Sequence, residues 1–218
     1  DKLGHNTNII SPNKYPQFLE WMDAESKIIK YTNSNQINSI IENADIIFTL
    51  DFNNLIRISQ MKEAVEKAKG VKIMIDHHEN PSDYAKFMYS DPEMSSTCEM
   101  IYHFIDKLGD KDKIDKNISK SLYAGIMTDT GSFKFPSTTH VTHKVVSNLL
   151  KTGISHSEIH NQIYDNNLVN FGVPGSIVSS VPKGTGAIIM ATKNVDFFNN
   201  NVSKTPFPGP IETKWSPF

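Results

Sequence analysis

The chain has few of the features that would assign it to a protein class at once. Cys98 is the single cysteine among 218 residues, so no disulfide can form within the chain. No apolar run approaches the roughly 18 residues of a membrane span, and the N-terminus lacks the basic and then apolar pattern of a secretory signal. The sequence therefore predicts a cytoplasmic protein with no membrane segment.

Neither sign of charge is in excess, because 22 Lys and Arg stand against 24 Asp and Glu. A net charge of -2 gives no long-range positive field that would recruit nucleic acid. We therefore expect any contact with a phosphodiester to be local.

Two apolar runs predict neighbouring buried strands, at residues 44–51 and 71–76. Residues 57–69 between them have helical spacing, and each strand ends in a carboxylate. A β-α-β unit of this kind places its functional groups at the carboxyl edge of a parallel sheet. The predicted fold class is α/β, with a Rossmann-like parallel sheet flanked by helices.

The other segments extend this organisation. Further strands are predicted at residues 7–11 and 84–89, and further helices at residues 35–43, 95–108, 118–127, 139–150 and 155–164. Beyond residue 167 glycine and proline become frequent, and only residues 187–191 have the character of a strand. We expect one domain over residues 1–167 and a poorly organised tail over residues 168–218.

Acids and histidines stand at three predicted strand or turn ends: Asp51, the triplet Asp76-His77-His78, and Asp129. Carboxylate oxygens together with imidazole nitrogens suit a divalent ion such as Mn²⁺. Asp51 alone is better explained as a solvated strand end or a helix cap, and the triplet alone favours a metal no more than an ordinary role. In a metal site, Asp76 would orient an imidazole by accepting a hydrogen bond from the ring nitrogen that does not bind the metal.

Three hydroxyl residues, Ser95, Ser96 and Thr97, open the helix predicted at residues 95–108. Hydroxyls and free amide hydrogens at a helix N-terminus favour a phosphate, but an ordinary N-cap explains them equally well. Cys98 follows on a helix face that is predicted to be buried, where packing is the expected role.

Taken in order, residues 49–53, 76–81 and 128–133 resemble motifs of the DHH phosphoesterase superfamily, in particular of its bacterial, Bacteroidetes-like oligoribonuclease and pAp phosphatase group. Residues 95–100 and 135–139 resemble the same group, and the likeness covers residues 1–167. The resemblance implies that Asp51 bridges two metal ions, with His77 and Asp129 as further ligands. It also implies catalytic roles for His78, facing the scissile phosphate, and Asp76, and places Ser95, Ser96 and Thr97 near the substrate.

The sequence departs from this group in two places. The group's first metal motif, a histidine followed by two spaced aspartates, would precede residue 1, and no such pattern occurs in the chain. The glycine-rich GGGH motif of the group's C-terminal DHHA1 domain is not recognisable after Asn167. We therefore expect the chain to lack its natural beginning, and one of the two implied metal ions to lack most of its ligands.

The resemblance implies a manganese-dependent hydrolase that cleaves short oligoribonucleotides to mononucleotides and converts 3′-phosphoadenosine 5′-phosphate (pAp) to AMP. Its partners would be short RNA or phosphorylated nucleotides, and a homodimer is possible. Three alternatives stay open: a related hydrolase of cyclic dinucleotides or pyrophosphate, an incomplete fragment that binds at most one divalent ion, and a Rossmann-like nucleotide-binding module whose acids are accidental.

Overall fold

A computed structural model of the chain describes residues 2–15, 17–23, 28–171 and 188–193, which form a six-stranded sheet with helices on both faces. The strands are β1 Asn6–Ser11, β2 Ile28–Lys30, β3 Ile46–Leu50, β4 Val71–Asp76, β5 Phe87–Ser90 and β6 Ile188–Lys193. The α-helices are α1 Asn35–Glu42, α2 Lys62–Lys67, α3 Thr97–Lys107, α4 Lys116–Asp129, α5 His140–Leu150 and α6 His156–Phe171. Short 3-10 helices lie at Gln17–Asp23, Leu55–Met61 and Lys111–Lys113.

The strand order is β2-β1-β6-β3-β4-β5. β3, β4 and β5 pair in parallel, as do β1 and β2, whereas β6 runs antiparallel to both of its neighbours. The register aligns Leu50 with Ile75. Asp51 and the Asp76-His77-His78 triplet therefore emerge side by side at the carboxyl edge.

Side chains alternate between the two faces of β3. Ile47 lies in a core formed with α1, α2 and the 3-10 helix Leu55–Met61, whereas Phe48 meets Phe104 of α3 edge to face, with ring centroids 6.0 Å apart. A second core joins α3, α4, α5 and α6. Because each fully buried Ile or Met contributes about 1.5–3 kcal/mol, these two cores hold the sheet edge in place.

The predicted α/β class is confirmed, and most predicted elements are found within a few residues of their expected ends. Residues 57–69 differ, because Ser59 has φ 48° and ψ -118°, which breaks the helix into the 3-10 helix Leu55–Met61 and α2. The strand expected at residues 84–89 begins at Phe87, and Tyr84 before it bonds through its hydroxyl to Thr49 and to the Phe52 carbonyl.

The tail is described only in part. α6 continues to Phe171, beyond the expected boundary at residue 167, and the strand expected at residues 187–191 is β6, placed between β1 and β3. Residues 172–187 and 194–218 lie outside the described residues, so the boundary stays a prediction. In the part of the chain that the structure describes, no helix combines the length and the apolar character needed to cross a membrane.

Candidate metal centre

Asp51 occupies the first position after β3, in a left-handed conformation with φ 65°. Its amide donates to the Ile75 carbonyl over 3.1 Å, which fixes the turn against β4. The left-handed region costs a residue with a side chain about 1–2 kcal/mol, and aspartate tolerates it better than most. The turn directs the Asp51 carboxylate toward the first turn of α3, where the Thr97 hydroxyl donates to Oδ1 over 2.8 Å.

His77 directs one ring nitrogen at the two carboxylates. Nδ1 lies 3.1 Å from the Met94 carbonyl, which can only accept, so the ring proton belongs on Nδ1. Nε2 then carries a lone pair, 3.8 Å from Asp51 Oδ1 and 3.9 Å from Asp129 Oδ2. A backbone carbonyl behind a histidine fixes the tautomer in this way in metal sites.

His78 is oriented by Asp76, which is fully buried. Asp76 Oδ1 lies 2.7 Å from His78 Nδ1, and Oδ2 accepts the His78 amide over 3.2 Å. The two histidine rings meet edge to face, with centroids 5.0 Å apart. The buried Asn53 donates its amide hydrogens to the carbonyls of His78 and Glu79, over 3.0 and 2.7 Å, and so holds the turn after β4.

The charge of Asp51 disfavours ionisation of Asp129. Burial raises the pKa of Asp51 above its ordinary value. Burial raises the pKa of Asp129 as well, and the charge of Asp51 adds to that rise. Asp129 is also the last residue of α4, where the negative end of the helix dipole favours a cation. A divalent ion would relieve all of these unfavourable charges at once.

The donor set fits a divalent cation. Donor atoms of Asp51, His77 and His78 all lie within 4.8 Å of one another. Two donors of one ion are separated by at most two metal-ligand bonds, about 4.2 Å, and both carboxylate-to-Nε2 distances lie within that limit. The predicted ligands Asp51, His77 and Asp129 are thus near one another, but the tightest group includes His78 in place of Asp129.

The hydroxyls of Ser95, Ser96 and Thr97 are all buried and engaged within the protein. Ser95 donates to the Glu99 carboxylate, Ser96 accepts the Glu99 amide over 3.0 Å as the N-cap of α3, and Thr97 bonds Asp51. The N-cap alternative is therefore what the structure shows for Ser96. Contact of these residues with substrate stays a prediction.

Two supporting residues were not predicted from the sequence. The Met94 carbonyl that orients His77 leaves no trace in residue type, because any residue carries that group. Glu99 is buried and accepts hydroxyl hydrogens from Ser95 and Thr142, which joins α3 to α5. An acid at the third position of a helix that begins with a hydroxyl N-cap is an ordinary sign of a helix N-terminus. The burial of Glu99 becomes apparent only from the residues that pack around it in the structure.

The fold and this edge define an α/β protein with a metal-type site at the carboxyl ends of parallel strands. Residues 9–126 match the model of the DHH family, N-terminal domain, and the chain belongs to that family. It is 32% identical over 140 residues to the bifunctional oligoribonuclease and PAP phosphatase NrnA of Bacillus subtilis (strain 168). Over 72% of its length it is similar to the crystal structure of an exopolyphosphatase-related protein from Bacteroides fragilis, at 38% identity and a TM-score of 0.70.

Each comparison covers only part of the relative. The alignment takes in 62% of this chain and 45% of the Bacillus protein, and the Bacteroides structure is covered to 47%. A protein described as a family II inorganic pyrophosphatase of Methanococcus jannaschii shares the fold over 70% of this chain and 52% of its own, with a TM-score of 0.51 at 19% identity. The chain thus spans about half the length of these relatives.

Proposed function

We propose that this chain forms the metal-binding part of a phosphoesterase that cleaves short oligoribonucleotides to mononucleotides and converts pAp to AMP. The observation that carries the proposal is the meeting of Asp51, His77 and Asp129 around one imidazole nitrogen at the carboxyl edge. The similarity to the Bacillus oligoribonuclease and PAP phosphatase supports this choice of substrates.

In this proposal, Asp51, His77 and Asp129 would hold divalent cations. Manganese is our preferred ion, because a mixed set of carboxylates and imidazole suits it. A bound divalent ion lowers the pKa of water and offsets charge on phosphate oxygens. The protein contributes the fixed ligand geometry, through the hydrogen bonds of Met94 to His77 and of Thr97 to Asp51.

His78 would face the scissile phosphate through Nε2, since Nδ1 is committed to Asp76. When both ring nitrogens carry a proton, an imidazole held by a buried carboxylate can donate from Nε2 to charge on the departing oxygen. Asp76 acts only through His78 in this scheme, which makes it a positioning residue.

The test is to incubate the 218-residue chain with Mn²⁺ and either pAp or a short oligoribonucleotide, and to measure release of phosphate or of mononucleotides. We expect turnover by the parent and a decrease of at least about 100-fold in Asp129→Ala, since even outer-shell partners of metal ligands are worth about 10- to 100-fold. Asp112→Ala, at an exposed acid in the 3-10 helix Lys111–Lys113, is the matched control. Equal turnover by the parent and Asp129→Ala would reject the assigned ligands.

A related hydrolase of cyclic dinucleotides or pyrophosphate is tested in the same assay. Both compounds are offered to the parent beside pAp at equal concentration. The proposal requires pAp or the oligoribonucleotide to be turned over fastest. Faster hydrolysis of the cyclic dinucleotide or of pyrophosphate would contradict it and favour the corresponding related hydrolase.

A second candidate is an incomplete metal-binding domain without activity. Its support is the short donor set among the described residues, four side chains clustered at one edge. Isothermal titration with Mn²⁺ separates the two candidates: one bound ion and no turnover favour the incomplete domain, and two bound ions with turnover favour the hydrolase.

A further inference from the structure

The loop after Asp129 has a conformation that L-amino acids rarely adopt. Gly131, Ser132 and Phe133 have φ values of 56°, 59° and 64°, so three successive residues are left-handed. Non-glycine residues in this region are strained, and the strain persists only where surrounding contacts impose it.

Several hydrogen bonds impose this turn. The buried Thr130 accepts the amides of Lys134 and Phe135 at its carbonyl, over 2.9 and 3.1 Å, and the Phe133 amide at its hydroxyl, over 3.0 Å. The Ser132 amide donates to the Met127 carbonyl over 2.8 Å, and its hydroxyl lies 2.8 Å from the hydroxyl of Tyr164 on α6. The turn is thus built as a rigid unit.

The turn brings the ring of Phe135 back over Gly131. A Cβ at Gly131 would lie 2.7 Å from the Cζ of that ring, so only glycine permits the contact. Gly131 lies two residues after Asp129, which puts the ring within roughly 11 Å of the Asp129 backbone. The ring belongs to the same edge as the candidate metal centre.

Phe135 keeps 47% of its surface exposed despite this contact. Four large apolar residues are exposed among the described residues, and Phe135 is the only aromatic one; the others are Leu3, Ile56 and Leu150. Its neighbour Lys134 is exposed and adds a positive charge. An exposed aromatic face beside a cation offers a stacking surface to a base and a counter-charge to a phosphate, which matches a nucleotide better than pyrophosphate or an aliphatic phosphate ester.

We propose that Phe135 is the stacking platform for a substrate nucleobase whose phosphate lies at the Asp51, His77 and Asp129 cluster. This inference rests on the proposed function, and it adds the base subsite and the preference for nucleotides. Every base offers a π-face, so the platform would accept purines and pyrimidines alike, with purines held more tightly because they are larger.

The test compares AMP with ribose 5-phosphate, which lacks the base, by isothermal titration of the full chain in Mn²⁺ buffer. We expect the parent to bind AMP about 10-fold more tightly, and Phe135→Ala to bind both compounds within about twofold of each other. Leu150→Ala changes an exposed apolar residue at the C-terminal end of α5. This control should keep the parent's preference for AMP over ribose 5-phosphate.

Phe135→Trp supplies a second readout. Its added fluorescence should be quenched by AMP and unaffected by ribose 5-phosphate, against the background of the native Trp21 and Trp215 measured in the parent. If Phe135→Ala still prefers AMP over ribose 5-phosphate, the role of Phe135 as a stacking platform is rejected and the proposed function is retained. Failure of the parent to bind either phosphate would overturn the proposed function and the platform together.

Discussion

Thr97 donates its hydroxyl hydrogen to Asp51 Oδ1 over 2.8 Å, which ties the first turn of α3 to the end of β3. Thr97 is only 3% exposed, so the bond is shielded from solvent on that side. It also opposes the effect of burial, which raises the pKa of Asp51, by lowering that pKa. Thr97 therefore favours the charged carboxylate, the form that a cation requires.

Thr97→Val should weaken metal binding. Valine keeps the shape of threonine but cannot donate to Asp51, so the half-buried carboxylate loses this hydrogen bond. We expect the affinity for Mn²⁺ to fall by about 10-fold, the lower end for the loss of an outer-shell partner. Isothermal titration at neutral pH measures the change. Thr97→Ser retains the hydroxyl and should bind as the parent does; equal affinity of parent and Thr97→Val would show that the bond does not support the ligand.

Asp76→Asn should release the orientation of His78. Asparagine fits the same buried site, but it replaces one acceptor oxygen of the carboxylate with an NH₂ donor, so Nδ1–H is no longer the enforced tautomer. Long-range nitrogen-proton NMR of the His78 ring should show Nδ1–H in the parent and a mixture of tautomers in the variant. Hydrolysis of pAp should fall by about 10- to 100-fold.

Asn148→Asp is the control for Asp76→Asn. It changes an amide to a carboxylate at Asn148 of α5. The Asn148 side chain donates to the Tyr102 hydroxyl and belongs to no part of the candidate metal centre. This control should leave the His78 spectrum unchanged. An unaltered His78 tautomer in Asp76→Asn would contradict the role given to that carboxylate.

Sequence patterns predicted β3 and β4 well because buried parallel strands leave long apolar runs, and because both runs end in acids that must meet at one edge. They missed β2, since three residues are too few to establish a period. They also left the position of β6 open, because strand order and direction follow from pairing partners and not from a strand's own composition.

The site shows the same division. Asp51, His77 and His78 were identifiable by residue type and order, and they lie together. What the sequence left open was which proton each imidazole carries, since that depends on the Met94 carbonyl behind His77 and on Asp76 behind His78. The hydroxyls of residues 95–97 were ambiguous for a related reason, because a helix N-terminus offers the same groups to a cap and to a phosphate.

Glu99→Gln should destabilise the fold in a way that depends on pH. Although burial raises the pKa of Glu99, bonds from His103, Ser95 and Thr142 lower it more, so the net pKa lies below 4.5. A carboxyl whose pKa is lower in the folded state stabilises the fold above its unfolded pKa. That contribution is lost as pH falls through the folded pKa.

We therefore expect Glu99→Gln to reduce the free energy of unfolding by about 1.5–3 kcal/mol at pH 7, the usual range for hydrogen bonds to a charged group. The difference should shrink below about pH 4.5. Urea unfolding at pH 7 and at pH 3.5 measures both values. Glu63→Gln, at an exposed acid paired with Lys67, should leave the pH 7 midpoint unchanged. A difference that stays constant with pH would show that the charge of Glu99 contributes nothing.

Gly125→Ala should loosen the packing of α3 on α4. A Cβ at Gly125 would lie 2.1 Å from the Cys98 sulfur and 2.9 Å from its Cβ, so the two helices must separate. Alanine is favoured over glycine in a helix by about 1 kcal/mol, but overpacking costs about 1–3 kcal/mol, and we expect a net loss of stability. Urea unfolding measures it, with Ser121→Ala on the exposed face of α4 as the control that should be neutral or stabilising.

The cause of that loss can be assigned to Cys98 by a double-mutant cycle. Cys98→Ala removes the sulfur that meets the added methyl group, so Gly125→Ala should cost less in that background, by about 1 kcal/mol or more. The close approach of the two Cβ atoms remains, so the recovery should be incomplete. If Gly125→Ala costs the same with and without the sulfur, the contact between Gly125 and Cys98 does not set the spacing of α3 and α4.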